Sequence, residues 1–345
     1  MRKRIRKVLC ILLVICLLPV SLFTGCAKEN ADPSEDTKKI LKIATSSGFD
    51  PEAIRDLYDT GFRYIDLSMY GLSKGSVLMS DNWREEVLKL KAVADELGMT
   101  FVQAHSPGGN LLSTDRKEVD ALIAATKRSI EICEVLGIKN TVVHVGWRDG
   151  LNRKQFYRMN MLMYYNLLPT AEQCGVNILC ENSTKKNMQN FEYLSTGAEM
   201  REFVEYVNHP NFHACWDTGH ANCDDLDQYQ NILDIGDELY GIHYADNMGD
   251  GDTHLMPFFG TLNNNDVMRA LTEMGYDGYF TLECSGTRGA YKGPVFPWMK
   301  EAFPNVPDEK LSQVPQMMSP MQKEKLLFDI ANYIVTTYPT QTPER

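Results

Sequence analysis

Between Ile40 and the C-terminus, eight strand-like runs alternate with eight helix-like runs, and that count predicts a single (β/α)8 TIM barrel of the α/β class. A second observation agrees with it. His105, His144, Glu181, Asp217, His243 and Glu283 each stand at the end of a strand-like run, 39, 37, 36, 26 and 40 residues apart. One strand plus one helix takes roughly 30 or more residues, so four of the five gaps match one repeating unit. The third observation is negative. No Gly-rich phosphate fingerprint follows the first strand, which counts against an open dinucleotide-binding sheet.

The units follow in order. Leu41–Ser47 reads as a strand and Pro51–Thr60 as a helix with proline at its start. Phe62–Met69 precedes Asp81–Leu97, where Val87, Leu88, Leu90, Val93, Ala94 and Leu97 fall on one helical face. Thr100–Ser106 leads to Arg116–Leu136, which Gly137 ends as a C-cap. Asn140–Trp147 leads to Arg153–Cys174, ended by Gly175. Val176–Asn182 precedes Gly197–Val207, and Phe212–Thr218 precedes a short helix near Leu226–Ile235. Leu239–Asp246 leads to Asn265–Met274, and Gly278–Cys284 to the last helix, Met321–Thr337. Residues 287–319 form a long insert between the eighth strand and its helix. Loops on that side of a barrel carry function, so Phe296, Pro297 and Trp298 are candidates to cover the mouth.

The first 39 residues stand outside the barrel. Arg2, Lys3, Arg4, Arg6 and Lys7 form a basic n-region and Val8–Phe23 an apolar h-region, the pattern of an export signal. Leu22–Cys26 (LFTGC) resembles a bacterial lipobox, which implies cleavage after residue 25 and lipidation of the Cys26 thiol. Residues 26–39 are polar and aperiodic, a flexible tether. The expected location is therefore the bacterial cell envelope, with the membrane reached through the lipid anchor alone. The signal carries five cations and no acid; without it 30 Lys and Arg face 46 Asp and Glu, a net charge of −16. Such a body repels phosphate backbones, and no nucleic-acid partner is expected. The sequence allows a homo-oligomer without requiring one.

Cysteine usage says less. Cys133, Cys174, Cys180, Cys215, Cys223 and Cys284 remain in the barrel with no CxxC and no regular spacing. Free core thiols are expected, although an oxidising compartment permits a disulfide from Cys215 or Cys223.

The stretch Phe212–Asn222 (FHACWDTGHAN) sets out the chemistry, with Asp217 and His220 flanking Gly219 where a strand gives way to a loop. Strand C-termini converge on one face of a barrel, so residues scattered in the sequence meet there. Glu181, Asp217, His243 and Glu283 then come from the fifth to eighth strands. Three carboxylates with one imidazole make a hard, oxygen-rich set, suited to Mn2+ ahead of Mg2+, Co2+ or Zn2+. His105 and His144 would line the opposite wall. An isolated histidine is more often a satisfied core residue; six acids and imidazoles at one phase reverse that expectation.

Gln103–Asn110 (QAHSPGGN), Val142–Trp147 (VVHVGW), Leu179–Ser183 (LCENS), Asp217–Asn222 (DTGHAN), Ile242–Asn247 (IHYADN), Asp252–Asn263 and Thr281–Cys284 (TLEC) resemble the xylose isomerase-like TIM-barrel superfamily. The likeness runs from about Ile40 to Gly286 and is strongest to the sugar phosphate isomerase/epimerase group, which includes ketose 3-epimerases. The resemblance implies one divalent metal on Glu181, Asp217, His243 and Glu283. It implies catalysis by Glu181, Glu283 and His220, with a carbohydrate bound by His105, His144, Trp147 and His254. The implied reaction is isomerisation or epimerisation of a sugar by proton abstraction beside a carbonyl, through an enediolate.

Three alternatives remain open. A 3-keto-glycoside lyase or hydratase would use the same proton abstraction. Endonuclease IV, in the same superfamily, holds three zinc ions for phosphodiester hydrolysis. His105, His144, Glu181, Asp217, His220, His243, Asp252, His254 and Glu283 match its nine ligands. The acidic charge and the absence of a basic stripe count against it. The last is a sugar-binding lipoprotein without turnover, which would have little use for so many clustered acids.

Overall fold

The structure is a computed structural model, and it describes residues 40–185, 193–288, 300, 304–305, 307 and 318–338. The export signal, the Cys26 tether and most of the 287–319 insert, with Phe296, Pro297 and Trp298, lie outside the described residues.

Eight strands form one parallel sheet: β1 (Lys42–Ser47), β2 (Tyr64–Ser68), β3 (Thr100–His105), β4 (Asn140–Val142), β5 (Asn177–Glu181), β6 (Phe212–Asp217), β7 (Leu239–His243) and β8 (Tyr279–Leu282). Each pairs with its neighbours in sequence, and β1 pairs with β8. At the remaining seam Tyr244 donates its N–H to the Thr281 carbonyl (2.7 Å) and accepts from the Glu283 N–H (3.1 Å), which brings the sheet round to a near-closed barrel. The sequence-predicted fold is the observed one.

The helices are α1 (Pro51–Thr60), α2 (Trp83–Leu97), α3 (Arg116–Leu136), α4 (Arg153–Cys174), α5 (Gly197–Val207), α6 (Thr218–Cys223), α7 (Gln228–Ile235), α8 (Asn264–Glu273), α9 (Ser285–Arg288) and α10 (Pro320–Thr337). Their starts follow capping chemistry. Asp50, Asp115, Asn152, Thr196 and Ser319 each accept a first-turn backbone N–H, the last three in full capping boxes. Gly137 and Gly175 end α3 and α4 in the left-handed conformation, as expected. The main core, with Trp216, Tyr164, Phe203, Phe212 and Phe280 fully buried, lies between barrel and helices. A small separate cluster of Val142, Leu179 and Cys215 is contributed by β4, β5 and β6. Leu179 and Cys215 stand two residues before Glu181 and Asp217, so they share the inward phase and form an apolar floor beneath those carboxylates.

Three expectations are corrected. The fourth strand stops at Val142 instead of running to Trp147, because side chains of neighbouring elements take over its backbone hydrogen bonds, as described below. The segment after Asp217 is the short helix α6, with Asp217 itself as N-cap, in place of a loop. Leu88 is half exposed; the buried stripe of α2 is Val87, Leu90 and Ala94. All six cysteines of the barrel are free thiols, and Cys215 and Cys223 form no disulfide. Among the described residues no helix is long and apolar enough to cross a membrane.

Candidate metal and catalytic site

The strand ends deliver the expected side chains to one place. His105, Glu181, Asp217 and His243 are the last residues of β3, β5, β6 and β7, Glu283 is one residue past β8, and His144 is two past β4. One donor atom from each of Glu181, Asp217, His243 and Glu283 lies within 4.8 Å of the others, and His105, Glu181 and His243 form an overlapping triplet.

The contacts are dense. His243 Nδ1 bonds Glu181 Oε1 and lies 3.3 Å from Glu283 Oε2. The other Glu181 oxygen is 2.7 Å from His144 Nε2, which is 3.1 Å from His105 Nε2. Asp217 Oδ1 accepts the His220 N–H at 2.6 Å, while buried Oδ2 has no hydrogen-bond partner among the described residues. A buried carboxylate oxygen left unpaired at a cost of a few kcal/mol or so is the mark of a place shaped for a cation. Asn182 fixes Asp217 from the backbone side: its Oδ1 accepts the Asp217 N–H (2.6 Å) and its Nδ2 donates to the Asp217 carbonyl (3.0 Å). The donor set fits a hard divalent cation.

Three imidazoles obey one rule. His105, His220 and His254 each turn Nδ1 to a backbone carbonyl, of Ser106 (2.7 Å), Asn182 (2.8 Å) and Glu283 (3.0 Å). A carbonyl only accepts, so each Nδ1 carries the proton and Nε2 is left for the site. His220 and His254 Nε2 then lie 3.2 and 3.1 Å from Asp252 Oδ2. His254 stands at φ +47° in the β7–α8 loop, a left-handed conformation rare outside glycine. Reciprocal backbone bonds between Asp246 and Leu255 (2.9 and 2.7 Å) help hold it there.

Burial and charge pull the two glutamates apart. Burial works to raise Glu181, yet His243 and His144 hold it well below the usual carboxylate range. Burial lifts Glu283 to about 7, against the pull of His243 and His254. Burial, helped by the neighbouring imidazoles and against the pull of Glu181, lowers His105 to about 3 and keeps that ring neutral. A bound cation would add its own positive charge and favour ionised carboxylates throughout.

Substrate-sized space adjoins this set. A cavity of about 330 Å³ is lined by His105, His144, Glu181, His220, Asp252, His254 and Glu283, with Asp66 and Tyr70. A second, of about 340 Å³, shares Tyr70, His144, Glu181 and His220 and reaches Trp147. Trp147 is held by its backbone: Asn110 accepts its N–H (2.9 Å) and donates to its carbonyl (2.8 Å). Asn160 does the same for Gly146 (2.7 and 3.0 Å), and Tyr164 donates to the Val143 carbonyl (2.8 Å). A side chain at Gly146 would meet the Leu112 nitrogen at 2.5 Å, so only glycine fits this turn. The segment after β4 is thus a built wall.

Of the predicted site residues, His105, His144, Trp147, Glu181, His220, His254 and Glu283 line these cavities, while Asp217 and His243 are buried in the adjoining donor cluster. Reading the sequence missed Asp66 of β2, Tyr70, and the supports Asn110, Asn160 and Asn182. Tyr70 packs over His105 and His144 with ring centroids 5.4 and 6.2 Å away. Asp66 carries a signal that could have revealed it: an acid at the inward phase of the apolar strand YIDLS.

Barrel, mouth and oxygen-rich donor set define a class, that of (β/α)8 barrels with a candidate divalent-cation site at the strand C-termini. The chain belongs to the xylose isomerase-like TIM barrel family, whose pattern matches residues 54–303. It is 22% identical over 291 residues to the D-psicose 3-epimerase of Enterocloster bolteae, spanning 81% of this chain and 86% of that one. A crystal structure of D-psicose 3-epimerase in the presence of D-fructose shares the fold at TM-score 0.61 and 16% identity, covering 86% of this chain and 99% of the other. The E. coli 3-keto-D-glucoside 4-epimerase does so at TM-score 0.59 and 19% identity, covering 71% and 92%. Its relatives therefore include ketose 3-epimerases, and at these identities the structural likeness carries the fold alone.

Proposed function

We propose that this protein is a metal-dependent sugar isomerase or epimerase that moves a proton at the carbon beside a carbonyl. The observation that carries the reading is the approach of Glu181 and Glu283 to the same His243 Nδ1, with Asp217 completing the donor set. Held by Glu181, Asp217, His243 and Glu283, a divalent cation, Mn2+ foremost, would supply Lewis-acid polarisation of a carbonyl and its neighbouring hydroxyl. One of Glu181 and Glu283 takes the proton from carbon and the other returns it, leaving an enediolate between the two steps. Their opposed proton affinities suit such a division of labour. His220, held well above the ordinary histidine range by Asp217 and Asp252 against the effect of burial, donates toward developing oxyanion charge. His105, His144, Trp147 and His254 contact the sugar. Lipid anchoring through Cys26 would place this chemistry in the cell envelope, where unphosphorylated sugars are the natural substrates.

A second reading, elimination or hydration of a 3-keto-glycoside, needs the same proton abstraction and differs in the leaving group. The fold likeness to a 3-keto-D-glucoside epimerase supports keeping it. The net charge of −16 that remains without the first 25 residues opposes nucleic-acid hydrolysis, although all nine endonuclease-like residues are present. One screen separates these readings: free ketoses, 3-keto-glycosides and abasic duplex DNA with added Mn2+, followed in D2O. Deuterium incorporated beside the carbonyl with an epimer or isomer as product supports the proposal. Incision of DNA at a comparable rate would overturn it.

A further inference from the structure

Asp66 has no role in the chemistry set out above, yet it lies within the barrel. It is the third residue of β2, fully buried, with its side chain turned to the cavity under the mouth. Among the described residues neither of its oxygens has a hydrogen-bond partner. An unpaired buried carboxylate costs on the order of several kcal/mol, so an acid inside an apolar strand needs a compensating partner. The adjacent group is the other ring nitrogen of the candidate ligand His243: Asp66 Oδ2 lies 3.3 Å from His243 Nε2, and that nitrogen too has no other partner among the described residues.

His243 also departs from the rule that three other site histidines obey. His105, His220 and His254 anchor Nδ1 on a backbone carbonyl and offer Nε2. His243 offers Nδ1 to Glu181 and Glu283 and turns Nε2 inward, where no backbone carbonyl receives it. Its anchor has to be a side chain, and Asp66 is the one in place. A ring stacked on it, His105 at 5.5 Å and 6° between planes, restrains its tilt but donates nothing to Nε2.

We infer that Asp66 is the positioning residue of the metal site: it receives the Nε2 proton of His243, fixes that tautomer, and so presents the Nδ1 lone pair to the cation. A carboxylate behind a metal-bound imidazole orients the ring and makes it a better donor, and its loss typically weakens metal binding roughly 10–100-fold. This inference rests on the cation-binding reading of the proposed function, and the test keeps the two apart.

The experiment measures the Mn2+ dissociation constant of the full-length protein by EPR of the free ion, for wild type, Asp66→Asn and Asp66→Ala. Two-bond ¹H–¹⁵N correlation of the histidine rings is recorded in parallel. Asp66→Ala should bind Mn2+ roughly 10–100-fold more weakly and, in the metal-free protein at a pH high enough to make the ring neutral, show His243 as mixed tautomers where wild type shows the Nε2–H form. Asp66→Asn keeps an acceptor without the charge, so it should hold the Nε2–H tautomer and lose about three- to tenfold in affinity. That graded rescue separates positioning from mere loss of packing. If Asp66→Ala does not fold, Asp66→Asn alone decides. A folded variant with Mn2+ affinity within twofold of wild type and an unchanged His243 signal overturns the inference. Wild type that binds no divalent cation would instead sink the proposed function, and the tautomer signal would then judge Asp66 by itself.

Discussion

Replacing Asp246 by Asn should loosen the loop that carries Asp252 and His254. Asp246 is fully buried, and its Oδ1 accepts the N–H groups of Asn247 (2.8 Å) and Leu262 (2.9 Å) while Oδ2 accepts that of Gly260 (2.9 Å). An amide can serve one side only. With its oxygen toward Asn247 and Leu262, its NH2 points at the Gly260 N–H, donor against donor. Losing one charge-assisted bond and stranding a buried donor costs about 2–3 kcal/mol. Urea unfolding of the variant, compared with wild type at equal denaturant sensitivity, reads that loss directly. Hydrogen exchange should localise it to the amides of Leu255, Gly260 and Leu262, and kcat/KM should fall roughly 10–100-fold as Asp252 and His254 lose register. A variant within about 0.5 kcal/mol of wild type, with those amides equally protected, would refute the view that this carboxylate pins the loop.

Two further outcomes are expected. Trp147→Ala should raise the KM for sugar about two- to tenfold and change kcat little, since a backbone-clamped aromatic wall contributes binding but not proton transfer; a kcat loss larger than the KM change would move Trp147 into the chemistry. Cys26→Ser should abolish partitioning into detergent phase of the protein expressed in a bacterium, or leave the precursor unprocessed; unchanged partitioning would end the lipoprotein reading.

Most of the fold could be read because strand–helix alternation repeats and Gly137 and Gly175 mark helix ends unambiguously. The site was legible for a related reason. Inward phase at a strand end puts His105, Glu181, Asp217 and His243 in register whatever the loops do. What escaped depends on tertiary partners. The β4 run VVHVGW has the composition of a longer strand, and only Asn110, Asn160 and Tyr164, distant in sequence, show why it departs from the sheet after Val142. DTGHAN looks like a loop until Asp217 caps the turn that follows it. Leu88 fits the apolar face of α2 by spacing but sits at its solvent edge. Asp66 escapes a reading of strand ends because its acid stands two residues before the end of β2, one layer below the others.

The central claim is that Glu181 and Glu283 are the proton carriers as well as ligands, and paired substitutions test it most directly. Glu181→Gln and Glu283→Gln keep size and one coordinating oxygen while removing the basic carboxylate. Metal content and turnover are measured on the same samples, with solvent deuterium exchange at the substrate carbon. Turnover should fall roughly 10²–10⁴-fold in each variant while most of the metal stays bound, and one of the two should still exchange the proton without completing the reaction. Both variants turning over at near wild-type rates with metal retained would contradict the account, because the proton would then have to pass to another group.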